Sequence, residues 1–573
     1  MERHGAAKIL QDIGVMLELK GENPFKSRAY YNAARIVEML GEEELEKLVL
    51  EDRLKEVKGI GSAINEKLKE LTLTGKMLYF DELKAAIPES LFTILRVPGL
   101  GPRKVRSLYE TLEITTLAEL EYACRENRLV NLKGFGLKTQ INILEGIEFL
   151  RRQQDRYFYS EARLIADELL VATREFPTLK NISLAGSIRR CLELVKDIDL
   201  VASAPEPAVL TRFFAGLPVV DDIIAIGKTR VSVRLQDGIN ADLRVVKPDE
   251  FPYALHHFTG SKEHNTVLRH RAKGIGIKIN EYGLFKEEEL IICRDETEFY
   301  AALGLDYIAP ELRENNGEIE AAESGNLPDL VETADIKGIF HVHSNYSDGS
   351  DSLENLVRAC VEAGYEYIGI SDHSQSAFYA GGLKTDDLAR QQNEILLLKE
   401  KYPNIAIFCG VESDILTDGS LDYSDQVLEK LDFVIASVHS GLKMEQSKIT
   451  ERVLRAINNP LVTMLGHPTN RLLLGRDNSP LDLEKVFIAA QENKVILELN
   501  ANPARLDLDW RYLKKVRDMN LLVSINPDAH QVESFADTQF GVAIARKGWL
   551  EKRNVFNTLS RDEVEKYLYN RKR

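Results

Sequence analysis

No apolar run in the chain approaches the ~18 residues of a membrane span, and the start Met1-Glu2-Arg3-His4 is too polar for a secretory signal. A cytoplasmic protein without membrane attachment is the expectation. Cysteine is scarce: Cys124, Cys191, Cys293, Cys360 and Cys409 are scattered and form no Cys-x-x-Cys pair, which argues against both a disulfide framework and a zinc knuckle. An excess of positive charge is missing too. The net charge is −16, so composition alone does not suggest a nucleic-acid partner. The deficit is uneven: residues 1–150 carry 22 basic against 24 acidic residues, whereas 334–573 carry 29 against 35. The near-neutral front leaves room for a local basic surface. At 573 residues the chain is too long for one hydrophobic core, and several domains of about 100–200 residues are expected.

What is present begins with glycine-bearing turns. Residues 1–85 read as helices, and Val57-Lys58-Gly59-Ile60-Gly61 opens a further one. The pattern recurs around Gly99 and Gly101 and around Gly134 and Gly136, each time followed by cations such as Lys67, Arg103, Lys104 and Lys138. A hydrophobe-x-Gly-hydrophobe-Gly turn at a helix start marks the helix-hairpin-helix. Its backbone comes close to a phosphate and donates N–H groups to it without reading bases.

From about 151 the pattern changes to strands at 182–185, 197–201, 231–235 and 241–246, preceded by a helix at 158–174 and expected to form an antiparallel sheet. Gly186-Ser187 makes a tight turn where backbone and hydroxyl can approach a phosphate. Asp197 and Asp199, two apart on a strand, point to one face, and Asp242 supplies a third acid. Three carboxylates can hold two Mg²⁺ or Mn²⁺ roughly 3.5–4 Å apart, the arrangement for in-line phosphoryl transfer. Then come Phe258-Thr259-Gly260-Ser261, a helix displaying Asn265 and Arg269 one turn apart, and Asn280-Glu281-Tyr282-Gly283-Leu284.

In this order, over about 1–314, these segments resemble DNA polymerase X, the family of DNA polymerase beta. The resemblance implies that Asp197, Asp199 and Asp242 are the catalytic metal ligands. It implies that Gly186, Ser187 and Arg190 bind the incoming triphosphate, that Phe258 and Gly260 line its sugar, and that Asn265 and Arg269 face the nascent pair. Lys67 falls where the beta enzyme has its Schiff-base lysine, so the resemblance makes it the candidate residue for a lyase activity. The sequence departs from the family at His257, Lys262 and Cys191, which stand where the beta enzyme has a tyrosine, an acid and usually a glycine.

After an Asn/Gly/Ser-containing stretch at 315–333 without a basic residue, read as a linker, the second half is different. Short apolar runs at 336–343, 367–373, 405–412, 433–439, 462–467, 495–500 and 521–530 alternate with helical stretches, and six of the seven end in a metal-type ligand. Alternation of this kind reads as a barrel of parallel strands with its site at the C-terminal strand ends. The candidate ligands are His341, His343, Asp348, His373, Glu412, His439, His467, Asp528 and His530.

This half resembles the PHP (polymerase and histidinol phosphatase) domain. The resemblance implies up to three metals: one on His341, His343, Glu412 and Asp528, a second on Glu412, His439 and His467, and a third on Asp348, His373 and His530. Imidazole and carboxylate sets suit Zn²⁺, Mn²⁺ or Fe. Arg471 and Arg505 are candidate phosphate clamps.

The expected organisation is an N-terminal helical DNA-binding domain (1–85), a helix-hairpin-helix subdomain (86–150), an α+β nucleotidyltransferase palm (151–250), a thumb-type nascent-pair subdomain (251–314), the linker (315–333) and an α/β PHP barrel of about seven strands (334–573). The expected function is gap-filling DNA synthesis in base excision repair by a monomer. It would act on gapped or primer-template DNA with a 5′-phosphate and on dNTPs, with metal-dependent 3′→5′ exonuclease and AP endonuclease activities. Two alternatives stand beside it: hydrolysis of small phosphate esters by the barrel, and a non-catalytic scaffold that holds DNA ends.

Overall fold

The computed structural model describes residues 3–40, 45, 47–49, 51, 53–130, 132–151 and 156–571. The chain divides into two units, Met1–Arg151 and Arg152–Arg573.

The first unit is helical around its own core, with Leu10, Ile13, Val37, Leu68, Val105, Leu108 and Ile143 buried. Its three glycine turns take the backbone conformation that the motif needs: Gly59, Gly99 and Gly134 have φ of +103°, +84° and +90°. Helix Ser62–Thr74 follows Gly61, helix Pro102–Leu112 follows Gly101, and helix Leu137–Arg151 follows Gly136. Neither Gly61 nor Gly101 brings a side-chain cap, so the first N–H groups of those helices stay open to an anion.

The second unit holds the rest. β1 (Tyr157–Phe158) and β3 (Leu194–Val195) form a small antiparallel pair. The palm sheet consists of β2 (Asn181–Leu184), β4 (Asp197–Ser203), β5 (Val220–Ile226), β6 (Arg230–Leu235) and β7 (Asn240–Val246) in the order β2-β4-β7-β6-β5. It is mixed, not antiparallel throughout: β4 and β7 run parallel, with Asp199 beside Asp242. That neighbourhood brings the third acid to the first two. A thumb-type part follows, with an antiparallel sheet of β8 (Ile277–Asn280), β9 (Gly283–Lys286) and β10 (Glu289–Ile291).

The barrel strands are β11 (Gly338–Val342), β12 (Tyr367–Ile370), β13 (Ala406–Asp414), β14 (Phe433–Ser437), β15 (Met464–Leu465), β16 (Ile496–Asn500) and β17 (Val523–Asn526). They pair in sequence order, all parallel. His343 N–H donates to the Ala529 carbonyl at 2.8 Å and Ala529 N–H to the His341 carbonyl at 3.1 Å, so the ends of the first and last strands meet. Aromatic rings of Phe340, Tyr367, Phe408, Phe433 and Phe556 fill the interior away from the donors.

Residues 315–333 are not a loose tether. They contain helix Glu318–Glu323, whose Glu318 is buried and bonds His264 Nδ1 at 2.6 Å. Val331 N–H donates to the Leu550 carbonyl at 3.1 Å. The segment packs on both thumb and barrel because it carries one apolar face and one acid with a buried partner. One continuous hydrophobic cluster runs from the palm (Tyr159, Ala162, Leu200) into the barrel (Val453, Leu497, Phe540).

Candidate active sites

In the palm, Asp197 and Asp199 leave β4 on one face and Asp242 joins them from β7. Gly186 has φ +56°, and a Cβ built there would lie 1.9 Å from Asp199 Oδ2. Only glycine lets the turn pass so close to that carboxylate. Burial, then the charges of Asp197 and Asp242, push the Asp199 pKa up to about 7. Burial and Asp242 also raise that of Asp197. Carboxylates gathered closely enough to disfavour ionisation at Asp197 and Asp199 form a donor set that a divalent cation relieves. Asp242 accepts hydrogen bonds from Arg230 Nη2 at 3.0 Å and from Ser232 Oγ.

Ser187 lies half-buried in the turn. Arg190 is already engaged: its Nε donates to Glu314 at 2.9 Å and its Nη1 to the Thr259 carbonyl at 2.8 Å. Asn265 Nδ2 donates to the His257 carbonyl at 2.8 Å, and a Cβ at Gly260 would meet Asn265 Oδ1 at 2.5 Å. Arg269 Nε donates to the Asn265 carbonyl at 3.1 Å, keeping the pair on one helix face. The Phe258 ring lies 5.1 Å from the Arg244 guanidinium. In the helical unit, Lys67 Nζ sits 4.6 Å over the Tyr79 ring.

All nine barrel residues named from the sequence converge, and all nine are at most intermediate in exposure. Glu412 is the hub. Its Oε1 lies 3.0 Å from His467 Nε2, 3.1 Å from His439 Nε2 and 3.3 Å from His341 Nε2, and its Oε2 lies 2.8 Å from His373 Nδ1. Asp528 Oδ1 lies 3.2 Å from His343 Nε2 and 3.5 Å from His341 Nε2. Asp348 faces His530 Nε2 at 3.3 Å and His373 Nε2 at 3.4 Å. The grouping differs from the expected three sets in three places: His373 is shared between Glu412 and Asp348, His343 groups with Asp348 as well as with Asp528, and His467 joins His341 at Glu412 while His439 joins His373 there.

The donors fit metal ions. His341 Nε2, both ring nitrogens of His343, and His373 Nε2 are buried without a hydrogen bond. So many buried polar atoms left over in one place call for cations. Burial, with His530 and His373 alongside, holds the His343 pKa down at about 3, the neutral form that ligates. Although burial works against it, neighbouring imidazoles keep Glu412 ionised, well below the usual carboxylate range. The backbone is strained at three ligands: φ is +58° at His341, +24° at His467 and +52° at Asp528. At His341 the register of β11 against β12 also shifts. Strain of this kind collects where geometry serves a site.

Residues 1–77 match a helix-hairpin-helix domain and 91–148 a SAM-like helix-hairpin-helix tandem. Residues 254–314 match the DNA polymerase beta thumb and 340–502 the PHP domain. The DNA polymerase/3'-5' exonuclease PolX of Bacillus subtilis (strain 168) is 38% identical over 572 residues, covering 99% of both chains. The chain belongs to the DNA polymerase X family. A probable phosphatase of Thermoanaerobacter sp. (strain X514) is 28% identical over 250 residues, 41% of this chain and 94% of its own length. The repair DNA polymerase X of African swine fever virus (isolate Warthog/Namibia/Wart80/1980) is 31% identical over 142 residues, 23% of this chain and 82% of the viral protein. As a family X member the chain is a DNA polymerase that binds DNA and nucleotides, and its PHP barrel is a hydrolase domain dependent on divalent metal.

Two further points concern the barrel of this family X chain. Arg471 is no phosphate clamp: it is buried and bonded to Asp509 at 2.8 Å, to the Arg505 carbonyl at 2.9 Å and to the palm residue Glu193 at 3.4 Å. It ties the two domains together. Arg505 does stand at the cluster, its Nε 3.8 Å from Asp528 Oδ2. Sequence reasoning missed the acids that orient the imidazoles. Glu498 accepts from His341 Nδ1 and from the His467 N–H, both at 2.6 Å, and Asp414 bonds His439 Nδ1. The signal was available: Glu498 interrupts an apolar strand, and Asp414 lies two residues after Glu412 on the same strand face.

Proposed function

We propose that the chain fills short gaps in DNA during base excision repair and trims 3′ ends with its barrel, acting as a cytoplasmic monomer. The observation that carries this reading is the presence of two separate donor sets in one chain, three palm carboxylates and nine barrel residues, behind helix-hairpin-helix turns. The match along its full length to a protein described as both polymerase and 3'-5' exonuclease supports it.

In the palm, Asp197, Asp199 and Asp242 would hold two Mg²⁺ or Mn²⁺. Bound there, the ions would favour the ionised primer 3′-hydroxyl and neutralise charge on the pyrophosphate leaving group. Ser187 and the Gly186 backbone bind the triphosphate, with Arg190 joining if it leaves Glu314. Phe258 and Gly260 line the sugar, while Asn265 and Arg269 face the minor-groove edge of the new pair. The open N–H groups after Gly61 and Gly101, together with the turn at Gly134 and Gly136, hold backbone phosphates on either side of the gap.

At the barrel mouth, the nine donors would hold up to three Mn²⁺, Zn²⁺ or Fe ions, which supply an activated water and stabilise charge on the phosphodiester. Arg505 stands where it can neutralise the phosphate further. The same centre would cleave 5′ to an abasic site. Lys67, beside Tyr79, is the candidate nucleophile for removing a 5′-deoxyribose phosphate.

A gapped duplex with a 5′-phosphate, assayed with Mg²⁺ and Mn²⁺ varied, tests the reading. Extension with dNTPs and shortening of the primer without them are expected; failure of both sinks it. A second reading, hydrolysis of small phosphate esters, is favoured by the likeness to a probable phosphatase. Faster turnover of p-nitrophenyl phosphate than of a 3′-recessed duplex would support that reading instead.

A further inference from the structure

The loop after β12, residues 374–383, leaves the donor cluster and returns to it. Its ends are pinned at a ligand: Leu383 N–H donates to the His373 carbonyl at 2.9 Å, and Ser374 bridges Leu383. Within it, Ser376 Oγ donates to Asp414 Oδ2 at 2.6 Å, the carboxylate that also orients His439. Ser376 N–H donates to Asp422 at 2.6 Å. Polar bonds therefore fix the loop, and its largest apolar side chain is left out of them.

That side chain is Phe378. It is 72% exposed, more than any other large hydrophobic among the described residues of the barrel. A phenyl ring in water is unfavourable, and here it ends a short ladder of rings. Tyr379 lies 6.5 Å from the His373 ring, and Phe378 lies 5.9 Å from Tyr379 at 77°. The ladder starts at a metal donor and finishes in solvent. With 29 basic against 35 acidic residues, the barrel has little diffuse attraction for a phosphate backbone. A DNA strand must then be held by the metal centre and by stacking, and every base offers a π-face to an aromatic platform.

We propose that Phe378, backed by Tyr379, is a stacking site for a nucleobase beside the phosphodiester being hydrolysed. The proposal rests on the reading of the barrel as a DNA-cleaving centre. Stacking ignores base identity, which suits trimming, and it requires the end to be unpaired.

The test uses the full-length Mn²⁺-loaded protein, as wild type, Phe378→Ala and Phe378→Trp, on a single-stranded oligonucleotide and on one with abasic 3′-terminal residues. Phe378→Ala should raise KM for the normal strand about 5- to 150-fold, equivalent to the ~1–3 kcal/mol per stacked base, with kcat little changed. Phe378→Trp should restore it, and the abasic strand should not distinguish the three. A 3′-terminal 2-aminopurine should be quenched on binding to wild type and Phe378→Trp but not to Phe378→Ala. Unchanged KM, or an equal loss on the abasic strand, overturns the stacking site while leaving the nuclease reading intact. A wild type that cleaves neither strand overturns both.

Discussion

At His341 the two ring nitrogens already have different tasks. Nδ1 is held by Glu498 at 2.6 Å, which fixes the tautomer and leaves Nε2 facing Glu412 and Asp528. The same Glu498 carboxylate accepts from the His467 N–H at 2.6 Å, so one acid places two ligands that sit on strained backbone. Glu498→Gln keeps the size and an acceptor but removes the charge. It should weaken retention of the barrel metals about 10- to 100-fold and slow 3′ trimming, with primer extension unchanged. Metal content after dialysis, measured alongside both activities, checks this; full retention of the metals would contradict it.

At the scale of elements, the thumb contains two buried histidines that fold in the neutral form. His256 stacks on Phe299 at 4.1 Å, and burial, followed by Arg313, holds its pKa well below the usual value. Burial also lowers His264, with Glu318 pulling the other way. Each histidine binds a proton more readily when unfolded, so the stability it contributes is present above the ordinary pKa of 6.5 and is lost as pH falls below it. The loss is at most about 1.4 kcal/mol per pH unit for each group. The barrel imidazoles titrate as well, so the discriminating comparison is with His256→Phe, which keeps the stack and removes the proton site. Its melting temperature should fall less than that of wild type between pH 7.5 and 5.5. Parallel curves would show that His256 does not contribute.

The barrel strands were legible in the sequence because each apolar run is short and most end at a donor. Asp197 and Asp199 were legible from their spacing of two on one strand, and Asp242 from its place in a second strand-like run. The parallel pairing of β4 with β7 was not, because alternation gives the face of a residue but not the direction of its neighbour. Helix Glu318–Glu323 was missed for a related reason. Its buried residues are Glu318, Ile319 and Ala322, and burying Glu318 makes sense only once His264 is beside it.

At the scale of the whole molecule, palm and barrel form one piece. Lys547, on barrel helix Thr538–Lys547, is buried and donates to the Arg190 carbonyl at 2.9 Å and to Glu314 at 2.6 Å. Glu193, three residues after Arg190, accepts from Arg471 at 3.4 Å and from Trp510 Nε1 at 3.2 Å. The barrel therefore grips the segment that follows the triphosphate turn. The sequence announced two machines, but their join was hidden because it depends on partners more than two hundred residues apart.

Shared packing does not make one site: the palm carboxylates and the barrel donors have no residue in common. The most direct measurement follows a labelled primer on a gapped duplex, with and without dNTPs, for wild type, the double variant Asp197→Ala/Asp199→Ala, and His341→Ala. The double variant should lose extension by at least about 100-fold and keep trimming, and His341→Ala should lose trimming and keep extension. If either substitution set abolishes both activities in a protein that remains folded, two independent centres is the wrong description.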